Sequence, residues 1–205
     1  MKSYQQEKSI KNSNLMKFFN LDEIDRKILE MLKNNPEISQ KEIAKFVALS
    51  QPSVGARIRK MKKLGILNHT YGIDLSNSGL YIFKVNLKCK KPEELMKKFE
   101  NCPFFLNGFV ITGNNNLTIM LFGEDIISLQ AIIDKHFRPS PYVLDIDLGI
   151  IIRGTRRIIV PISINVTPSD KSPCGSDCGR CEYYQNKTCL GCPVTGYYRG
   201  NIWKY

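Results

Sequence analysis

The stretch S-Q-K-E-I-A-K-F-V-A-L-S-Q-P-S-V-G-A-R-I-R-K-M-K-K-L-G, residues 39–65, decides how the first third of this chain folds. Ser39 and Glu42 have the spacing of a capping box, in which each satisfies a free N–H of a first helical turn. Ile43, Ala44 and Val47 then recur at helical spacing. Ala48-Leu49 reads as a tight turn. Ser50 is a good N-cap, and Pro52 falls in the next first turn, where a missing N–H costs nothing. Val54, Ile58, Met61 and Leu64 line one face of the following helix, and Gly65 is placed to end it. Two helices joined by a turn of about four residues make a helix-turn-helix. The second helix buries one stripe and is expected to turn Gln51, Ser53, Arg57, Arg59, Lys60 and Lys63 outward. Its short polar residues suit base edges in a major groove, and its Arg and Lys suit phosphates. A small bundle with a wet basic face is the plainer alternative.

Upstream, Ile24, Ile28, Met31 and Leu32 form one apolar stripe, with Asp22 and Glu23 at the positive helix end. Asn34-Asn35-Pro36 stops that helix. Residues 1–20 form a polar arm without the apolar run of roughly 7–15 residues of a signal peptide, so a cytoplasmic protein is expected. No stretch reaches about 18 consecutive apolar residues, which excludes a transmembrane helix and membrane partners of that kind. The 205 residues carry 42% hydrophobic and 24% charged side chains, an ordinary folded composition. Thirty Lys+Arg against nineteen Asp+Glu give +11, with the excess concentrated in the first third. Such a surface draws polyanions, double-stranded DNA first.

Downstream, residues 68–80 read as a linker. Residues 81–88, 104–112, 117–122 and 142–152 are strand-like, and residues 92–101 and 125–137 are helical. Gly113-Asn114-Asn115-Asn116 suits a hairpin turn. The order β-α-β-β-α-β is a ferredoxin-like split unit over residues 81–167, with an extra strand at residues 157–166. The fold class is therefore α+β: a helix-turn-helix over residues 21–67, the βαββαβ domain, and a separate small C-terminal module over residues 168–205.

That module holds five of the seven cysteines, Cys174, Cys178, Cys181, Cys189 and Cys192, as C-x3-C-x2-C-x7-C-x2-C. Cys89 and Cys102 sit among apolar neighbours and read as core. Without a secretory signal, metal is favoured over disulfides. The pairs Cys178/Cys181 and Cys189/Cys192 suit a structural Zn2+, with Gly179 and Gly191 permitting the turns. Cys174, Cys178 and Cys181 with Cys189 or Cys192 suit a [4Fe–4S] cluster, and Pro193 echoes the Cys-Pro of ferredoxins. No histidine is near in sequence, since His69 and His136 lie far off. The fifth cysteine has no use in a purely structural zinc site and tilts the set slightly toward [4Fe–4S]. Arg180, Lys187, Arg199 and Lys204 are interleaved with Tyr183, Tyr184, Tyr197, Tyr198 and Trp203. These suit either nucleic-acid stacking or packing of a module that lacks its own core.

Residues 21–166 resemble the Lrp/AsnC, or feast/famine, family of transcription regulators. L-D-E-I-D-R-K-I-L at residues 21–29, S-Q-K-E-I-A at 39–44, V-G-A-R-I at 54–58 and K-K-L-G-I at 62–66 carry the resemblance. V-I-T-G at residues 110–113 adds to it. The resemblance implies a winged-type helix-turn-helix, a hinge strand, and an effector and dimerisation domain. It implies homodimers, often octamers, that bind operator DNA and answer to small molecules. It places an effector site between subunits near Thr112, Gly113, Asn114 and Asn116. The family commonly has Asp in that turn, where this chain has Asn116, so amino-acid ammonium recognition is put in doubt. The cysteine module lies outside the usual pattern and is similar to cysteine-rich appendages on some archaeal-type members.

The expected function is a sequence-specific DNA-binding regulator, not an enzyme, whose metal reports redox state, oxygen or iron supply. Two alternatives stand beside it. One is a chromatin-like DNA binder with structural zinc. The other is a siroheme-decarboxylase-like enzyme on the same architecture.

Overall fold

A computed structural model describes residues 20–68, 71–162 and 166–203. The chain divides between residues 70 and 71 into two compact units, inside the expected linker. The polar arm up to residue 19, His69, Lys204 and part of the strand expected at 157–166 lie outside the described residues.

Among the described residues the first unit holds three helices: α1 (Glu23–Asn34), α2 (Gln40–Phe46) and α3 (Gln51–Lys63). The caps at Ser39 and Ser50 are those read from the sequence, and Asp22, read as an acid at the positive helix end, is the N-cap of α1. The Asp22 carboxylate accepts from the Asp25 amide at 2.8 Å. Ser39 and Glu42 form the full capping box, and Ser50 accepts from the Ser53 amide. The turn needs a left-handed residue, and Ala48 supplies it at φ 55°. Gly65 ends the third helix at φ 70°, which costs glycine nothing. Ile28, Ile43, Val54 and Met61 are fully buried between the helices.

The second unit begins with β1 (Ile73–Asp74), paired antiparallel with β6 (Ile159–Val160). Between them run β2 (Tyr81–Cys89), α4 (Pro92–Phe99), β3 (Phe105–Val110), β4 (Leu117–Gly123), α5 (Ile126–His136) and β5 (Val143–Ile150). The four longer strands form one antiparallel sheet in the order β3-β4-β2-β5, as the βαββαβ reading requires. Leu95 and Phe99 of α4 and Leu129 and Ile133 of α5 are buried with the alternate β2 residues Phe83, Val85 and Leu87 in one core.

Two expectations are corrected. Among the described residues of the strand expected over 157–166, only Ile159–Val160 is strand, and it pairs with β1 rather than joining the four-stranded sheet. Pro161 follows directly and has no N–H to continue a ladder. The cysteine segment is not a separate module either. It belongs to the second unit, with Trp203 2% exposed inside that unit's core.

The segment is attached by specific contacts. The indole of Trp203 meets the rings of Phe104 and Phe122 at 5.3 and 5.7 Å. The Leu190 amide donates to Ser128 Oγ on α5 at 3.0 Å. Glu124, at the end of β4, accepts from the Asn201 amide at 2.7 Å and from the Tyr198 hydroxyl. Burial pushes Glu124 up, but these donors outweigh it and hold its carboxyl below the usual value. Among the segment's described residues, only a 3-10 turn (Cys178–Arg180) and α6 (Glu182–Gln185) are regular.

Candidate functional site

Two places gather chemistry-bearing side chains. The first is α3. Gln51, Ser53, Arg59, Lys60 and Lys63 are exposed along it. Lys60, Lys62 and Lys63 crowd its last turn, near the negative helix end. Gln51 and Ser53 stand in the first turn, and Ser53 Oγ lies 2.8 Å from Ser50 Oγ.

Arg57 is a correction. Its Nη1 donates to Asp22 Oδ2 at 2.6 Å and to Asp25 Oδ1 at 2.8 Å, and its side chain is 29% exposed. Asp25 is 1% exposed, a buried acid that needs a paired cation. Arg57 therefore ties α3 to the start of α1 through Nη1. The helical period put it near the boundary of the buried stripe. The matching signal was the pair Asp22 and Asp25, both at the start of α1.

The turn singled out for an effector divides in two. Thr112, Gly113 and Asn114 are exposed. Asn116 is engaged in the sheet: its Oδ1 accepts from the Cys89 amide at 2.8 Å, and its Nδ2 donates to the Cys89 carbonyl at 2.7 Å. That pairing uses both faces of the amide, so Asn116 extends the sheet and is not free for a ligand.

The second place is a cavity of about 50 Å³ in the second unit. Cys174, Cys178, Cys181, Cys189 and Cys192 all line it. So do Cys102, from the loop between α4 and β3, and His136, from the last turn of α5. Sequence reasoning missed these two. Cys102 packs against the core, as its apolar neighbours suggest, and also lines the cavity, while His136 lies far from the motif in sequence. No local spacing could have joined them to the motif, because the fold alone brings them there. Cys89 is buried in the sheet, as read.

The thiols are not equivalent. Burial pushes Cys102 and Cys192 up to about 12, and it also raises Cys178 and Cys189. Burial acts on Cys174 too, but His136 and Ser172 outweigh it and bring that thiol down to about 6. The Cys174 sulfur lies 3.6 Å from His136 Nε2 and 3.4 Å from Ser172 Oγ. Among the described residues no group of three His, Cys, Asp or Glu side chains forms a ready site for one metal ion. The sulfurs line the walls of the cavity instead.

The glycines of the segment serve close packing as much as turn geometry. Gly191 has φ 84°, and a Cβ there would stand 2.4 Å from the Tyr197 carbonyl oxygen. Gly179 has no positive φ, but a Cβ there would stand 2.7 Å from the Tyr197 hydroxyl. The aromatic and basic residues mostly pack on one another. The Arg199 guanidinium lies 3.7 Å over the Tyr184 ring, and Tyr184 meets Tyr197 edge-on.

Comparison with known proteins bears on both places. A model of winged helix-turn-helix DNA-binding domains matches residues 21–68. The HTH-type transcriptional regulator LysM of Sulfurisphaera tokodaii is 30% identical over 138 residues, 65% of this chain and 96% of that protein. The structure of Bacillus subtilis LrpC is similar at a TM-score of 0.56 and 26% identity, covering 67% of this chain and 98% of that one. The structure of Escherichia coli AsnC is similar at a TM-score of 0.58 and 22% identity, covering 66% and 95%. Each of these relatives is spanned almost whole, while about a third of this chain has no counterpart in the match.

Proposed function

This chain belongs to the Lrp/AsnC family of DNA-binding transcription regulators, and we propose that its cysteine cavity holds a metal group whose presence sets its hold on operator DNA. Membership makes it a regulator and removes the decarboxylase reading, since the relatives it matches are transcription regulators. Membership leaves the cavity to be explained. The observation that carries the proposal is that six cysteines from two separate stretches of chain line one cavity.

A [4Fe–4S] cluster fits that donor set better than a single ion. Four thiolates around Zn2+ converge on one point at about 2.3 Å each. A cluster has volume, and its four ligands stand apart around it. The sulfurs here are spread over cavity walls. When bound, a cluster supplies one-electron redox chemistry and sensitivity to oxygen. Buried thiols pushed up to about 12 are poor thiolates on their own, and a cationic group in the cavity reverses that cost.

On DNA, the exposed Gln51 and Ser53 read base edges and Arg59, Lys60 and Lys63 hold phosphates. A homodimer built through the βαββαβ domain places two such helices on half-sites about 34 Å apart or a multiple of it. The cavity is walled partly by α5 of that domain, so gain or loss of the metal group biases the dimer and hence the fit to both half-sites. A small-molecule effector has Thr112, Gly113 and Asn114 left to it, without Asn116.

The test is anaerobic purification with an absorption spectrum, iron, sulfide and zinc analysis, and operator binding before and after metal removal. Broad visible absorption that bleaches in air, with operator affinity changing on bleaching, is the expected result. A colourless protein with stoichiometric zinc and unchanged affinity assigns the metal a structural role only. A protein free of iron and zinc sinks the metal reading while leaving the regulator assignment intact.

A further inference from the structure

Among the cavity residues, one contact crosses from the βαββαβ domain into the cysteine motif. His136 Nε2, in the last turn of α5, lies 3.6 Å from Cys174 Sγ. We propose that Cys174 is a ligand of the metal group and that His136 is its positioning residue, holding the sulfur by an Nε2–H···Sγ hydrogen bond. The proposal rests on the [4Fe–4S] reading above and names which of the five motif cysteines is tied to the fold.

Three observations support the pairing. The imidazole is not free to swing: its ring packs edge-on against Phe99 at 5.6 Å, with 73° between planes. The separation suits an N–H donor and a sulfur acceptor, which is longer than a bond between nitrogen and oxygen. The other polar side chain beside the sulfur cannot serve as donor. Ser172 Oγ lies 3.4 Å from the sulfur, but its one hydrogen goes to the Ser176 carbonyl at 2.6 Å. Once Cys174 binds metal and has no S–H, Ser172 has no proton to share with it, and His136 is the side-chain donor that stands beside the Ser176 backbone amide.

The proposed direction of the bond requires one tautomer. A neutral imidazole that donates from Nε2 carries its proton there. A donor aimed at a ligand sulfur stabilises the state with more negative charge on the cluster. Reduction adds one electron from an external donor to the cluster and breaks no bond. The His136 contact therefore raises the reduction potential, as hydrogen bonds to cluster sulfurs do. Because Cys174 opens the C-x3-C-x2-C run, the same bond anchors the motif to the end of α5.

The experiment uses the full chain, purified without oxygen. Four variants are compared with the unmodified protein by iron and sulfide content and by the midpoint potential of the bound cluster. His136→Phe keeps an aromatic ring against Phe99 and removes the donor. His136→Ala removes both, and His136→Gln keeps an N–H donor. Cys174→Ala removes the ligand. The expected result is a full cluster with a lowered potential in His136→Phe, the potential largely restored in His136→Gln, and loss of most bound cluster in Cys174→Ala. His136→Ala repeats the donor test if the Phe variant does not fold. An unchanged potential in a folded, donor-free variant overturns the positioning role. A full cluster of unaltered potential in Cys174→Ala overturns the ligand assignment. If the unmodified protein takes up no cluster at all, the underlying [4Fe–4S] reading falls, and this inference falls with it.

Discussion

Two regions of this molecule bring reactive side chains together in opposite ways. The helix α3 does so within thirteen consecutive residues, where spacing alone decides which face each side chain takes. The cysteine cavity draws on residues from Cys102 to Cys192, and no segment of it is complete without the others. A local device can be recognised from its pattern. A device assembled by the fold can be recognised only after the sheet, two helices and a C-terminal segment are in place. The two should therefore fail differently under mutation.

The cavity side of the comparison is most exposed at Trp203. This residue is 2% exposed, packs on Phe104 and Phe122, and is not itself among the residues lining the cavity. Trp203→Ala removes a buried aromatic and should destabilise the second unit by about 3–5 kcal/mol. Metal content should fall with it, although no ligand is touched. Urea denaturation followed by far-ultraviolet circular dichroism, with metal analysis on the same sample, checks both. If the variant keeps its metal and its stability, the cavity is a local module after all, and the comparison collapses.

The next effect lies in the first unit. Arg57→Ala leaves Asp25, 1% exposed, without its cation. Removing one partner of a buried ion pair costs roughly 3 kcal/mol, and the partial exposure of Arg57 places this pair at or below that figure. Arg57→Ala should therefore weaken DNA binding mainly by unfolding the unit. Binding of the fraction still folded, read in excess protein at low temperature, should keep most of its salt dependence. An intact fold with a reduced salt slope would return Arg57 to the set of phosphate contacts.

How much was legible follows from the same contrast. The caps at Ser39 and Ser50, the stripe Val54, Ile58 and Met61, and the βαββαβ order were all readable, because each is a statement about neighbours in sequence. The pairing of Arg57 with Asp22 and Asp25 was not, because periodicity fixes a side chain's direction but not what stands opposite it. The strand expected at residues 157–166 was overextended because apolar β-branched residues satisfied the pattern while Pro161 ended the ladder. Cys102 and His136 escaped notice for a stronger reason. Their neighbours in sequence, Phe99 and Phe137, are core residues, and only the packing of the Phe99 ring against His136 and Phe137 brings the residues beside them to a common cavity.

A smaller effect is expected at the N-terminal end of α3. Gln51 is exposed in its first turn, and glutamine pairs with adenine through two hydrogen bonds. Gln51→Ala should reduce discrimination between the operator and its single-base variants by about 1–3 kcal/mol at one position, with little change on random DNA. Competition binding against a panel of operator variants reads this directly. A uniform loss across all sequences would place Gln51 on the backbone instead.

The smallest effect separates α3 most cleanly from the cavity. Lys60 and Lys63 are exposed in the last turn of α3, and no ion pair to either is seen among the described residues, in contrast to Arg57. Lysine at such a site acts as a point charge on phosphate. Each one neutralised releases condensed counterions, so the dependence of log K on log salt should flatten by about 0.9 per lysine replaced with Ala. The loss should be the same for operator and random DNA and should leave stability and metal content unchanged. Lys60→Ala and Lys63→Ala should also add, because each phosphate contact releases its own counterions. If instead either substitution lowers metal content, α3 and the cavity communicate in the free protein, and the regulatory link runs through the monomer rather than through the dimer's grip on two half-sites.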